Sequence, residues 1–291
     1  MHKVTQEDKF LFDLQGYLIL RGAIESELVN GLDWAVVENE AIEHDESWAE
    51  GLYEGPLTER SKYGKHLTKD TDIKNQVRLN GLPRLNPIFD CLIAHPAIVP
   101  YLDEFMDDPQ LVNTWSISKY EGMIATGWHH GLSPYDYSVR EEKIVSPMVN
   151  VVTMLTRNHP GDGCFAVLPG SHKKNFFMKD CWNDFRYSGL DTPGAIEITG
   201  APGDVMIFTE ALIHSGANKT TARRRTTLQY NHVDSSRVSA AMRDHHNTRH
   251  FWMPPSIRKR FTPEQLKMTN WMNYTIPDRS IYGAQESKVG Q

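Results

Sequence analysis

Gly127-Trp128-His129-His130-Gly131 is the first of two runs that decide the reading; the second is Gly203-Asp204-Val205-Met206-Ile207-Phe208, and its following His214 lies 85 residues past His129. The second run is a short apolar strand behind a glycine turn, which places His214 at the end of a strand. Arg223-Arg224-Arg225 comes next, with Arg225 11 residues beyond His214 at the start of another strand. Two histidines at strand ends followed by an arginine are the parts of a mononuclear non-haem iron site with a slot for an acidic cosubstrate. Such sites usually carry a carboxylate two residues after the first histidine, because positions i and i+2 of an extended segment point the same way. Here that position is Gly131.

The rest of the chain supplies the frame. Leu111 to Tyr120 alternates, and the Val- and Thr-rich stretch Ser146 to Leu155 and the later runs Cys164 to Leu168, Ala195 to Thr199, Val205 to Phe208 and Arg225 to Val233 read as further strands. These are short strands punctuated by Gly and Pro. Ahead of them lie helical patterns at residues 5 to 14, where Thr5 and Asp8 suit a capping box, at Ser26 to Glu40, and at Pro87 to Ala94 and Pro96 to Met106. His44 to Asn75 is polar without a steady period and reads as loop that can cover a pocket. The pattern implies a mainly β protein with packed helices, an antiparallel double sheet of the jelly-roll type, in one domain over 1–291. Its helical part is 1–107, its core about 109–233 and its tail 234–291. The tail, with His245-His246, Phe251-Trp252 and a helix near Pro263 to Trp271, has three open roles: closing the barrel, covering the pocket or forming a homodimer contact.

Composition excludes several classes. The chain is 40% hydrophobic and 23% charged, no apolar run approaches a membrane span, and the first residues lack a secretory pattern. The expectation is a cytoplasmic protein without a membrane partner. A net charge of −6 with two short basic runs argues against nucleic acid. Cys91, Cys164 and Cys181 have neither the spacing nor the density of a disulfide or zinc framework and read as reduced packing residues.

The order of these parts resembles the phytanoyl-CoA dioxygenase family. The likeness is carried by Trp128-His129-His130-Gly131, by Pro160-Gly161-Asp162-Gly163-Cys164-Phe165 leading into Leu168-Pro169-Gly170-Ser171-His172-Lys173, and by Gly203-Asp204 with Phe208-Thr209-Glu210-Ala211-Leu212 before His214. The resemblance implies a double-stranded β-helix (jelly roll, cupin-like) that uses Fe(II), 2-oxoglutarate and molecular oxygen on a small-molecule substrate. It implies His129 and His214 as iron ligands and Arg225 as the clamp on the far carboxylate of 2-oxoglutarate. Thr126, Asn113 and Thr153 are further candidates for the same pocket. Gly131 departs from the family's usual HxD. It resembles the halogenases of this chemistry, where a small residue opens room for chloride at iron. Hydroxylation or a related C–H oxidation, halogenation, and ligand binding without catalysis all remain open at this point.

Neighbouring residues carry plainer readings. Alternation sets Arg225, Thr227, Gln229 and Asn231 on one face and Arg224 on the other, which favours Arg225 while leaving Arg224 in play. Asp136 and Glu210 are possible replacement carboxylates, but neither has the i, i+2 spacing, so both read first as surface or hydrogen-bonding residues. His130 points away from its neighbour, and His172 stabilises its turn. Trp115, Trp128 and Phe165 are pocket or core aromatics.

Overall fold

A computed structural model describes residues 3–42, 58–61 (backbone), 75–133, 136–176, 185–186, 188–238, 253 and 255–273. The first helix, α1 (Gln6–Gln15), starts as its sequence dictates: Asp8 N–H donates to Thr5 Oγ1 at 3.0 Å and Thr5 N–H donates to Asp8 Oδ2 at 2.9 Å. This reciprocal pair satisfies two backbone donors that have no partner within the helix. Gly16 ends it at φ 87° in the left-handed region, where its N–H reaches Phe12 O at 2.8 Å. The second helix, α2, spans Ser26–Glu40 and buries Val29, Leu32, Ala35 and Val36.

Twelve strands occur among the described residues: β1 (Tyr17–Leu20), β2 (Thr58–Ser61), β3 (Gln76–Asn80), β4 (Pro109–Lys119), β5 (Ser138–Arg140), β6 (Lys143–Val145), β7 (Met148–Met154), β8 (Phe165–Val167), β9 (Ile196–Ile198), β10 (Val205–Thr209), β11 (His214–Gly216) and β12 (Arg225–Asp234). A large sheet runs β1-β10-β7-β12-β4-β3-β2, a smaller one β11-β8-β9, and β5-β6 form a hairpin. All pairings are antiparallel, as a jelly roll requires.

Period 2 divides the large sheet into two differently dressed faces. Val149, Val151, Val205, Ile207, Leu228 and Tyr230 meet Phe12, Leu32, Leu102 and Phe105 of the helical layer. The residues between them in sequence, Val152, Met154, Met206 and Phe208, point the other way and pack with Val167, Ile198 and Leu212 of the smaller sheet side. The interior between the two sheets therefore has an apolar end, and its other end is the polar cavity described below.

Two expectations change here. Thr58–Ser61, within the stretch read as loop, is strand β2, paired with β3 at the edge of the large sheet. Its Thr-Glu-Arg-Ser sequence has no apolar alternation because an edge strand can be polar on both faces. The tail does not add a barrel strand among the described residues. Instead Met253, Ile257, Phe261, Met268 and Trp271 join the helix-side core, and Trp271 Nε1 donates to Leu111 O at 2.7 Å. His245, His246, Phe251 and Trp252 lie outside the described residues. Cys91 and Cys164 are free thiols. No helix among the described residues is long and apolar enough to cross a membrane.

Candidate active site

The loop after β4 returns to the smaller sheet through a backbone bridge. His129 N–H donates to His214 O and His214 N–H donates to His129 O, each at 2.9 Å, so the two histidines face each other across an antiparallel pair. Their ring centroids are 4.2 Å apart. Each Nδ1 lies against a carbonyl two residues back, Gly127 O at 2.8 Å for His129 and Leu212 O at 2.9 Å for His214. A carbonyl can only accept, so Nδ1 carries the proton in both rings and Nε2 is left as a lone-pair donor. Burial lowers the pKa of both rings and holds them neutral, strongly for His214 and also for His129, the more exposed residue of the two.

The pair opens on a cavity of about 300 Å³ lined by β3, β4, β7, β12 and both histidines. Arg225 is 2% exposed at one end of it, its Nε donating to Asn158 Oδ1 at 2.7 Å and Nη1 to Thr227 Oγ1 at 3.3 Å. Burial draws its pKa down to about 10, which leaves it cationic at neutral pH. Lys119 stands directly opposite on β4, also buried, and donates to Gly163 O at 3.1 Å. Burial, and then the charge of Arg225, pull its pKa down to about 7. Two cations directly opposite one another across a strand pair repel, and a carboxylate between them relieves the repulsion. Arg224 does not line the cavity; its Nη2 donates to both oxygens of Asp33 at 2.6 Å.

Six residues along the same strands the wall changes character. Asn231 on β12 pairs with Asn113 on β4 and with Asn150 on β7, a row of three asparagines across the sheet. All three line the cavity, and the Oδ1 of each is buried without a hydrogen-bond partner. Buried acceptors of this kind call for a donor from a ligand or water. Trp115, Phe165 and Phe208 supply the apolar lining between the two polar ends.

Of the residues singled out in the sequence, His129, His214, Arg225, Thr126 and Asn113 line this one cavity. Thr126 Oγ1 accepts from Gly216 N–H at 2.8 Å. Thr153 does not reach it: on β7 it alternates with Val152 and Met154, the residues that face the interior, and so sits on the helix side. Trp128 is also elsewhere, 1% exposed against Ala166 and Ile213, with Nε1 donating to Thr192 Oγ1 at 3.0 Å. Asp136 forms an ion pair with Arg237 at 2.9 Å, and His130 is not among the lining residues. His172 is buried and its Nε2 donates to Asp13 O at 3.0 Å, tying its turn to α1.

Glu210 departs most from expectation. It is 8% exposed and lines the cavity. Its N–H donates to Met148 O at 3.1 Å, continuing the β10–β7 ladder by one residue, so Met206, Phe208 and Glu210 share the inward face. The space beside Gly131 is therefore not open. An ideal Cβ at Gly131 would lie 2.5 Å from Glu210 Cγ and 2.7 Å from Oε1. Asn150 Nδ2 donates to Glu210 Oε2, while Oε1 lies 3.8 Å from His214 Nε2. Burial pushes the carboxyl up to about 8, against the opposing effect of the Asn150 bond. Strand alternation carried past Phe208 is the signal that finds Glu210, and the same alternation past Ile117 finds Lys119.

Two neutral histidines with fixed tautomers and ring centroids 4.2 Å apart fit a divalent metal that takes imidazole. Among the described residues, no three His, Cys, Asp or Glu side chains already stand in metal-ligating geometry.

Solved structures share the fold. HygX from Streptomyces hygroscopicus, crystallised with nickel and 2-oxoglutarate, superposes with a TM-score of 0.63 at 19% identity over 80% of this chain and 88% of its own. The α-ketoglutarate-dependent carbocyclase SnoK from nogalamycin biosynthesis gives 0.58 at 17% identity over 80% and 85%. The epimerase SnoN in complex with Fe3+, α-ketoglutarate and nogalamycin RO gives 0.55 at 16% over 78% and 82%. No curated protein matches the chain by sequence. The phytanoyl-CoA dioxygenase (PhyH) family matches residues 12–226, a span that runs from α1 through both histidines to the first residues of β12. By that match, the chain belongs to the phytanoyl-CoA dioxygenase family.

Proposed function

We propose that the protein is a non-haem iron(II) and 2-oxoglutarate-dependent oxygenase that functionalises a C–H bond of a small molecule. The observation that carries this reading is one cavity with two Nε2 donors on one wall and the opposed cations Arg225 and Lys119 on another. When bound, iron and 2-oxoglutarate would supply the oxidising power, by coupling oxidative decarboxylation of the oxo acid to succinate and CO2 with transfer of the second oxygen atom of O2 to the substrate. His129 and His214 would hold the metal through Nε2. Arg225 and Lys119 would take the far carboxylate of the cosubstrate and fix its orientation. Trp115, Phe165 and Phe208 would give the reacting region an apolar lining.

The relatives support a small-molecule substrate, since HygX has been crystallised with hygromycin B and SnoN with nogalamycin RO. Halogenation needs an open corner beside Gly131 for chloride, and the Glu210 side chain lies there, so oxygen transfer is the favoured chemistry. Ligand binding without catalysis is the rival that experiment must separate. Anaerobic Fe(II) with 2-oxoglutarate should give the visible charge-transfer band of the chelate. Admitting oxygen should then yield succinate above a control lacking iron. A protein that gives neither band nor succinate, and takes up no 2-oxoglutarate by calorimetry, is not this enzyme.

A further inference from the structure

Gly131 and Glu210 are far apart in sequence but occupy one place in space. The bridge between His129 and His214 runs antiparallel, and Gly131 N–H continues it by donating to Glu210 O at 3.0 Å. The position two residues after the first histidine and the position four residues before the second are thus brought to the same end of the pair. A side chain directed inward from either one enters the same volume, as the 2.5 Å and 2.7 Å distances from a Cβ at Gly131 to Glu210 show.

We infer that Glu210 supplies the third protein ligand to the metal, in the place of the carboxylate that position 131 lacks. This rests on the iron and 2-oxoglutarate reading above. Three observations converge. Glu210 Oε1 is 3.8 Å from His214 Nε2, within about 1 Å of the roughly 3 Å that separates two neighbouring donors on one ion at metal–ligand bonds of about 2.1 Å. The side chain is buried and faces the cavity with both histidines. Its other oxygen is held by Asn150 Nδ2, the kind of outer hydrogen bond that aims a ligating carboxylate. Ligation needs the carboxylate to move so that Oε1 closes on His214 Nε2 from its present 3.8 Å. Asn150 then acts as a positioning residue. The consequence for chemistry is that the metal keeps three protein donors and no corner for a halide.

The test uses Mn(II) as the probe, with affinity read by calorimetry and by the loss of the free-ion paramagnetic resonance signal, in the presence of 2-oxoglutarate. Glu210→Ala and the near-isosteric Glu210→Gln should each weaken Mn(II) binding by about 100-fold, with circular dichroism and thermal unfolding confirming the fold. Adding Gly131→Asp to Glu210→Ala, where the clash is gone, should restore most of that affinity. X-ray absorption at the metal edge in bromide buffer should show no bromide neighbour in the native complex and a bromide neighbour in Glu210→Ala. Native affinity in a folded Glu210→Gln variant, or bromide bound to the metal in the native protein, overturns the inference and leaves the oxygenase reading standing. A native protein that binds neither Mn(II) nor 2-oxoglutarate overturns both.

Discussion

Replacing Lys119 with methionine should make the protein more stable and its hold on 2-oxoglutarate weaker at once. The ammonium is 4% exposed, donates to Gly163 O at 3.1 Å and faces Arg225 across the strand pair. Burial and that neighbouring charge lower its pKa from 10.5 to about 7. The unfolded chain keeps the proton up to pH 10.5 and the folded chain only to about 7, so at pH 7 folding carries a penalty of about 4 kcal/mol. The Lys119 contribution to stability, read as the difference between the native protein and Lys119→Met, should therefore shrink with pH from 7 toward 10.5. Methionine fills a similar volume without the charge and forfeits one hydrogen bond of about 1 kcal/mol, for a net gain of about 3 kcal/mol. In a domain of this size that moves the melting temperature up by about 6 °C. Losing one charge-assisted hydrogen bond, about 1.5–3 kcal/mol, should weaken 2-oxoglutarate binding by about 10- to 150-fold. Thermal unfolding at pH 7 and pH 9.5 reads the first effect, and anaerobic calorimetry with Mn(II) the second. An unchanged or lowered melting temperature together with native affinity would refute the picture of two opposed cations awaiting a carboxylate.

Arg225→Gln should weaken 2-oxoglutarate binding by at least about 100-fold while leaving Mn(II) affinity in place; Arg224→Gln should leave the cosubstrate untouched and remove its pair with Asp33 and its bond to Thr226 Oγ1, about 1 kcal/mol by chemical denaturation. His172 is fully buried, and burial holds its pKa down at about 4. The unfolded chain takes up that proton first, so its contribution is intact above pH 6.5 and is lost as the pH falls toward 4. Native stability should drop about 1.4 kcal/mol per pH unit more steeply than that of His172→Gln in this window, and equal slopes in acid denaturation series would contradict it.

The large features were legible because they rest on strong local signals. The Thr5–Asp8 capping box, α2 and the strands β4, β7 and β12 appear in the structure within a residue or two of their reading. The face shared by Arg225, Gln229 and Asn231 was legible for the same reason, since period 2 needs only the strand to exist. Register is a different matter. No single strand tells that Lys119 lies opposite Arg225, or that Asn113, Asn231 and Asn150 form one row, because those facts belong to pairs of strands. Thr153 failed for want of a face assignment on β7, and Thr58–Ser61 because an edge strand need not alternate. Glu210 was discounted on its spacing from His214, which measures distance along the chain and ignores the segment at Gly131 that lies beside it.

The antiparallel bridge at His129 and His214 also bears on how such a protein changes over generations. Because positions 131 and 210 enter one volume, they are mutually exclusive tenants: a side chain at 131 evicts Glu210 from its present rotamer, and Glu210 in that rotamer demands glycine at 131. The motif that a pattern search would look for can vanish from one stretch of sequence while its carboxylate persists, supplied from the strand alongside. A screen of relatives for the spacing around the first histidine alone would discard chains built this way, whereas one that reads the residue four before the second histidine together with it would keep them.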